Sequence, residues 1–374
     1  MKRIIILLII VAAIVSIHLV HTSKIITPET LPSSGGFTLK EVKLVFPEAA
    51  ELVPARGNGW SQILDEKGNS IGAAVTTRRY SDHITGHGGP TPLLIGVGRE
   101  GNITGVCLLE SDESPDFVEK IASSDLLKSW DGIHWHEAIE TEVDAVTGAT
   151  MTSASVIKSL RYRLSGVKGE ALTSRIRFTY SDLVAVILAG IALFICLRPV
   201  KYRLQIRTVL LIASVVYLGF ARCQFLSIEL LAGWIKWGLF LKTSLGLGVI
   251  ALLAVLIPLF TGKPMYCYFL CPFGGAQELI YRISPWHKKI SHSLARVLMH
   301  IRTTLLLAAA LALLFDVYVN LTSFEPFTIF LIWPVNKTVA VIAGISLVLS
   351  FFVARPWCHF CCPTGAFLDL FRRK

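Results

Sequence analysis

Residues 239 to 276 read LFLKTSLGLGVIALLAVLIPLFTGKPMYCYFLCPFGGA. The stretch opens on an apolar run, Leu239 to Phe260, that meets the requirement of about 20 mostly apolar residues for crossing a bilayer. Lys263 and Pro264 close the run, and Cys267-Tyr-Phe-Leu-Cys271-Pro272-Phe-Gly-Gly-Ala follows at once. The pattern recurs near the end of the chain, where the run Val339 to Val353 leads through Arg355-Pro356 into Cys358-His-Phe-Cys-Cys362-Pro363-Thr-Gly-Ala. This is an internal duplication of helix, basic residue, proline and Cys-x-x-x-Cys-Pro.

Outward from these two copies, apolar runs also appear at Ile4 to Val20, Leu183 to Leu197, Val209 to Phe220 and Leu305 to Leu321. The short ones recruit flanking residues such as Asp182 or Asp316 at the headgroup boundary. Six spans are expected in all. The composition agrees: 53% of the 374 residues are hydrophobic and 17% are charged, whereas soluble domains carry roughly a quarter charged residues. That excludes a disordered chain, a disulfide miniprotein and an ordinary soluble enzyme.

The net charge of +10 is not spread evenly. Residues 24–170 hold 20 of the 26 acidic side chains against 14 Lys/Arg, whereas residues 171–374 hold 20 Lys/Arg against 6 acids. The basic surplus flanks the apolar runs, so it reads as a membrane signature and not as a nucleic-acid footprint. With the N-terminus inside, 16 Lys/Arg fall on inner segments and 6 on outer ones, so the positive-inside rule selects this orientation. Both termini are then cytoplasmic and the acidic region is extracytoplasmic. The expected divisions are a membrane anchor at 1–23, an extracytoplasmic α+β domain at 24–170 and a five-helix membrane domain at 171–374. Residues 1–23 could also be a cleaved signal peptide, although no Ala-x-Ala-like site follows them.

Within the acidic region, Ile71 to Thr77, Pro92 to Gly98 and Ile103 to Glu110 read as strands, with Gly98-Arg-Glu-Gly-Asn102 as a hairpin turn. Phe117 to Leu127 and Ser153 to Leu164 read as helices, the second capped by Thr152 or Ser153. The distinctive stretch is Asp144-Ala-Val-Thr-Gly-Ala-Thr-Met-Thr-Ser153. Small residues and hydroxyls at a helix start suit an anionic phosphate, but they equally suit plain helix capping. His83, His87, His134 and His136 read as surface or turn histidines, because no third ligand sits at a telling spacing.

Asp-x-x-Thr-Gly-Ala-Thr resembles the flavinylation motif of the FMN-binding domains of the NqrC, RnfG and NosR families. The likeness extends upstream through Gly86-His-Gly-Gly-Pro-Thr-Pro, Gly101-Asn-Ile-Thr-Gly-Val and Glu110-Ser-Asp-Glu-Ser-Pro-Asp-Phe. It implies FMN linked through its phosphate to Thr150 by a flavin transferase. It also implies that Asp144, Thr147, Gly148 and Ala149, with Thr152 beside them, are read by that enzyme or pack around the phosphate diester. Ser114-Pro-Asp-Phe-Val departs from the Thr-Pro-Gly-Leu-Gly of many relatives.

The duplicated cysteines have their own chemistry. Four thiolates from two loops, Cys267, Cys271, Cys358 and Cys362, are the set an iron–sulfur cluster needs, and Pro after the last Cys turns the chain away from the metal. Zinc could use the same four, and Cys361 is a possible substitute for Cys362. No Cys-x-x-Cys-His occurs, which excludes a c-type haem. These segments resemble the membrane part of the NosR/NirI family. The likeness implies a [4Fe-4S] cluster at the cytoplasmic face, covalent FMN outside, redox partner proteins on both faces, and an inner-membrane electron-transfer protein. Longer members continue into a ferredoxin domain, and the expectation here is a form lacking it. A redox sensor or an assembly factor for an extracytoplasmic reductase are the rival functions. The hydrocarbon core, roughly 30 Å thick, is too wide for one efficient hop. Cys196 and Cys223 are the only other thiols among the spans, too few for a second cluster in one chain, and a quinone is a candidate bridge.

Overall fold

The computed structural model describes residues 36–54, 59–168, 180–237, 245–288, 290–314, 325–331 and 337–372. The expected anchor, Ile4 to Val20, lies outside the described residues. These fall into two compact units, 36–168 with 233–237, and 180–232 with 245–372.

The first unit is built on a five-stranded antiparallel meander of order β1-β2-β3-β4-β5. After the short helix α1 (Leu39–Val42) come β1 (Glu51–Pro54), β2 (Trp60–Leu64), β3 (Ser70–Thr76), β4 (Leu93–Gly98) and β5 (Ile103–Leu108). The last three match the expected strands, and the β4–β5 turn is the expected hairpin, with Gly101 at φ +86° and Gly98 N–H donating to Asn102 O at 2.8 Å. Strands β1 and β2 were not legible. Ser61 is buried and Val53 exposed, which blurs the alternation that marks a half-buried strand.

Residues 37–49 pack Phe37, Val42 and Phe46 onto Ile63, Ala74 and Leu94. Glycines let the sheet approach that layer: a Cβ on Gly96 would lie 2.5 Å from Val45 Cγ1. Helix α2 (Pro115–Ala122) and the long helix α3 (Thr150–Lys168) follow β5. Val156, Leu160 and Leu164 are buried along α3, and Arg163 Nε on the same helix donates to Thr76 O of β3 at 2.8 Å. This ties the helix to the sheet. Helix α3 starts at Thr150, earlier than expected, so Thr152 and Ser153 belong to its first turn and are not its caps.

The second unit is helical: α4 (Tyr180–Leu197), α5 (Arg203–Ala213, continued by a π-helical stretch Ser214–Ala221), the start of α6 (Ile228–Trp237, whose residues 233–237 belong to the first unit), α7 (Leu245–Thr261), α8 (Pro272–Ile283), α9 (His292–Leu314), α10 (Lys337–Leu349), α11 (Pro356–Phe360) and α12 (Pro363–Leu370). Two stretches, Arg203–Ala221 and His292–Leu313, are long and apolar enough to cross a membrane. The expected runs at 183–197, 239–260 and 339–353 appear as shorter apolar helices, Asp182–Leu197, Leu245–Thr261 and Lys337–Leu349. The fold is thus a sheet-containing domain plus a helical part with two candidate spans among the described residues, where the sequence led us to expect six.

Helices α4 and α7 run side by side in the same direction. Gly246 N–H donates to Asp182 Oδ1 at 2.9 Å near one end, and Lys263 Nζ donates to Cys196 O at 2.8 Å near the other. A Cβ on Gly246 would sit 2.9 Å from Ala185 Cβ, so small residues set this close approach.

Candidate functional site

In the first unit the Asp144–Ser153 stretch forms a tight loop that feeds α3. Gly148 takes φ +83°, a left-handed backbone that favours glycine. Ser153 Oγ accepts from Val146 N–H at 3.0 Å and donates to Ala149 O at 2.8 Å, which folds the loop back on the helix start. Asp144 and Thr147 are exposed, whereas Gly148 and Ala149 are buried. Thr150 Oγ1 and Thr152 Oγ1 are shielded from solvent with no hydrogen-bond partner. Buried hydroxyls are normally paired. Two orphans at a helix N-terminus form a place where phosphate oxygens would satisfy what the protein leaves open.

Beside this loop sits a cluster that the sequence reading missed. Gly86-His-Gly-Gly89 makes a tight turn, Gly86 N–H donating to Gly89 O at 2.6 Å, and folds over Glu113. Glu113 Oε1 accepts from Gly88 N–H and from Ser114 N–H, both at 3.0 Å. A Cβ on Gly86 would lie 2.0 Å from Glu113 Oε2 and 3.2 Å from Thr152 Cα, so the carboxylate, the turn and the first turn of α3 share one packed volume. Burial pushes the Glu113 carboxyl up to about 7 against these N–H donors. Burial also pushes His87 down to about 3, keeping neutral an imidazole whose Nδ1 lies 3.2 Å from Ser114 Oγ. Of the two expectations for His87, surface or turn, the turn holds and the surface position does not, because the residue is buried. His134 and His136 lie in a turn, as expected, with nearly parallel rings 5.4 Å apart. The signal that could have exposed Glu113 was present: it is the acid just before Ser114-Pro115, in the Glu110–Phe117 stretch that carries the flavin-domain likeness.

In the second unit the two cysteine motifs have the same local build. The π-helical turn Tyr266–Leu270 ends at Cys271, which caps α8 with Pro272 in the first helical position. Helix α11 ends before Cys362, which caps α12 with Pro363 in the same place. Gly274 N–H donates to Cys271 Sγ at 3.4 Å and Gly365 N–H to Cys362 Sγ at 3.2 Å. Each last cysteine thus places its sulfur at a helix N-terminus, where the amide and the helix dipole favour negative charge.

Cys267, Cys271, Cys358 and Cys362 all line one cavity of about 140 Å³, and Cys361 is not on its wall. A Cβ on Gly274 would sit 3.3 Å from Cys358 Sγ and 3.5 Å from Cys271 Sγ, so this glycine keeps open the gap between sulfurs of the two copies. Among the described residues no three His, Cys, Asp or Glu side chains converge as they would on a single ion. The four thiols line one shared volume, an arrangement that fits the ligand set of an iron–sulfur cluster.

A buried ionic network joins the copies. Glu278 pairs with Arg207 at 3.0 Å, Arg282 at 2.9 Å and Arg355 at 2.9 Å. Arg355, whose own backbone is left-handed at φ 51°, also donates to Cys267 O at 2.7 Å and Tyr268 O at 3.3 Å. The guanidinium of Arg207 lies 3.6 Å over the Tyr268 ring. Three arginines share one carboxylate, leaving a positive surplus beside the cavity.

Residues 86–165 match the family described as FMN-binding domain, and residues 243–291 with 335–374 match the family described as 4Fe-4S binding domain. The chain carries both domains. No curated protein matches it. FMN and an iron–sulfur cluster are its cofactors, and the pairing of a flavin with a cluster in one chain supports electron transfer. The flavin match covers the Gly86 turn, Glu113 and Thr150, and the two-part cluster match covers both cysteine motifs.

Proposed function

We propose that the chain is a NosR/NirI-like membrane protein that moves electrons between the four-cysteine iron–sulfur site, supplied from the cytoplasm, and FMN attached covalently to Thr150 on the extracytoplasmic side. The observation that carries this reading is the convergence of cysteines from both copies of the motif on one cavity, in a chain that also has an FMN-binding domain. When bound, FMN exchanges one or two electrons and the cluster exchanges one. The protein holds and tunes them. Cys267, Cys271, Cys358 and Cys362 would ligate the cluster, and the Gly274 and Gly365 amides would stabilise its charge. The orphan hydroxyl of Thr150 would carry the phosphate diester, with Thr152, Gly148 and Ala149 packed around it and the exposed Asp144 and Thr147 open to a flavin transferase. Covalent attachment suits an exported flavin that no cytosolic pool could replace.

In this reading residues 1–23 anchor the chain, 24–170 are exported, 171–374 span the inner membrane with both termini cytoplasmic, and redox proteins or a quinone exchange electrons at either face. Sealed vesicles test it. Cytoplasmic-side reductant should bleach the flavin absorbance when the cluster is present and leave it unchanged in a cluster-free variant. An oxidised flavin with both cofactors loaded would refute electron transfer and favour sensing.

A further inference from the structure

We infer that the four-cysteine cavity lies at mid-depth of the membrane-spanning unit, carried there by two re-entrant hairpins and sealed on its outer side by residues 222–228 and 325–331. The inference rests on the spanning reading above.

Three helices act as rulers. Helix α8 runs back along α5: Arg282 Nη1 donates to Thr208 Oγ1 at 2.5 Å, Glu278 pairs with Arg207 at 3.0 Å, and Gly275 packs on Leu211 and Val215. Cys271 caps the deep end of α8, so it sits about 16 Å further in than Arg282 at 1.5 Å per residue. Helix α12 repeats the arrangement. Arg372 Nε donates to Gly262 O at 2.8 Å, at the inner end of α7, and Cys362 lies about 15 Å further in. Helix α7 gives the third reading: Tyr266 and Cys267 share a small cleft with Ala254 and Pro258, about 5 to 10 Å in from the inner end of the Leu245–Thr261 helix. Against a hydrocarbon core of roughly 30 Å, the first two place Cys271 and Cys362 near the centre, and the third places Cys267 between them and the inner rim.

The opposite wall comes from the other side. In the six-span topology residues 222–228 and 325–331 enter from outside, yet Leu226 and Phe327 line the cavity. Leu226 N–H donates to Tyr266 Oη at 2.8 Å. Glu325, only 2% exposed, accepts from Ile228 N–H at 2.9 Å and from Thr364 Oγ1 at 2.8 Å, two residues past Cys362. Irregular backbone at membrane depth persists only where protein satisfies its polar groups. Here Tyr266, Glu325 and Arg355 do so. Arg302, Asp369 and Arg372 line the same cavity and leave a charged approach from the inner rim. The cluster then halves the distance an electron must cross, and Cys196 and Cys223 are not required as carriers.

The test uses full-length protein loaded with its cluster in sealed vesicles, with an impermeant dysprosium chelate added to one side or the other. Equal enhancement of the reduced cluster's EPR relaxation from the two sides is expected. Strong enhancement from the cytoplasmic side alone would overturn the mid-depth placement and leave the spanning reading intact. In parallel, an impermeant maleimide should label Tyr202→Cys and Lys337→Cys from opposite sides, above the wild-type background. Labelling of both from the same side would overturn the spanning reading and the depth with it.

Discussion

The buried pair Glu113 and His87 predicts an unusual pH response in the FMN-binding domain. Glu113 is pushed up to about 7 from 4.5. Its folded state therefore keeps a proton that the unfolded chain has lost, and stability falls as pH rises from 4.5 to about 7. His87 is pushed down to about 3 from 6.5. There the unfolded chain binds the extra proton, and stability rises with pH from about 3 to 6.5. Each effect is worth about 1.4 kcal/mol per pH unit. Between pH 4.5 and 6.5 the two slopes oppose each other and cancel, so the wild-type contribution from this cluster is flat. Glu113→Gln keeps a carbonyl oxygen for the Gly88 and Ser114 amides and removes one slope. Its stability relative to wild type should climb by about 3 kcal/mol across that window. For a domain of this size that is roughly 8 °C in melting temperature. His87→Gln should show the opposite trend with the same magnitude. Thermal melts of the full-length protein followed by flavin fluorescence at pH 4.5, 5.5 and 6.5 read both. Curves parallel to wild type for both variants would refute the reasoning, because they would mean that the amide donors hold Glu113 ionised and that His87 titrates normally.

Thr150→Val should abolish in-gel flavin fluorescence after coexpression with a flavin transferase, and a persistent signal would place the attachment elsewhere. Cys267→Ser with Cys271→Ser should remove iron and the visible charge-transfer absorbance, whereas Cys361→Ser, off the cavity wall, should retain both; retained iron in the first variant would reject the ligand assignment. Gly274→Ala puts a methyl 3.3 Å from Cys358 Sγ and should lower iron loading, while Gly344→Ala, with nothing within 4 Å of the new Cβ, should load as wild type.

Much of this was legible because it is local. The β3–β5 strands follow from apolar runs bounded by glycine, and the two cysteine motifs follow from a repeated spacing. What escaped depends on contacts far apart in sequence. Glu325 is one acid in an apolar stretch until Thr364 and Ile228 are seen to donate to it. Glu278 reads as a helix-surface acid until Arg207 and Arg355 converge on it from positions 71 and 77 residues away. His87 read as a turn histidine because its neighbours are glycines, whereas Ser114 and Phe117 from the next segment bury it. The shift in the start of α3 has a similar origin. A hydroxyl-rich segment reads as a cap, but the Ser153 hydroxyl is taken by the loop behind it, so the helix begins at Thr150.

The duplication explains why one cluster, and not two, is expected. Each copy lines the cavity with two cysteines, half a ligand set, so neither hairpin completes a site alone. The copies have also diverged where they meet. Arg355, just before the second motif, reaches across to the carbonyl of Cys267 in the first. Its counterpart Lys263 turns away to the carbonyl of Cys196. A guanidinium can grip two carbonyls and a carboxylate at once, which an ammonium on a flexible stem does less well. The second copy therefore locks the first, and most of the charged lining of the cavity, Arg355, Asp369 and Arg372, belongs to that copy and its flank. Low dielectric around a buried cluster disfavours the added negative charge of reduction, whereas the two amide-to-sulfur hydrogen bonds and the arginine surplus favour it. The geometry sets these against each other, so the reduction potential should depend on the Arg355 interlock as much as on the cysteines themselves.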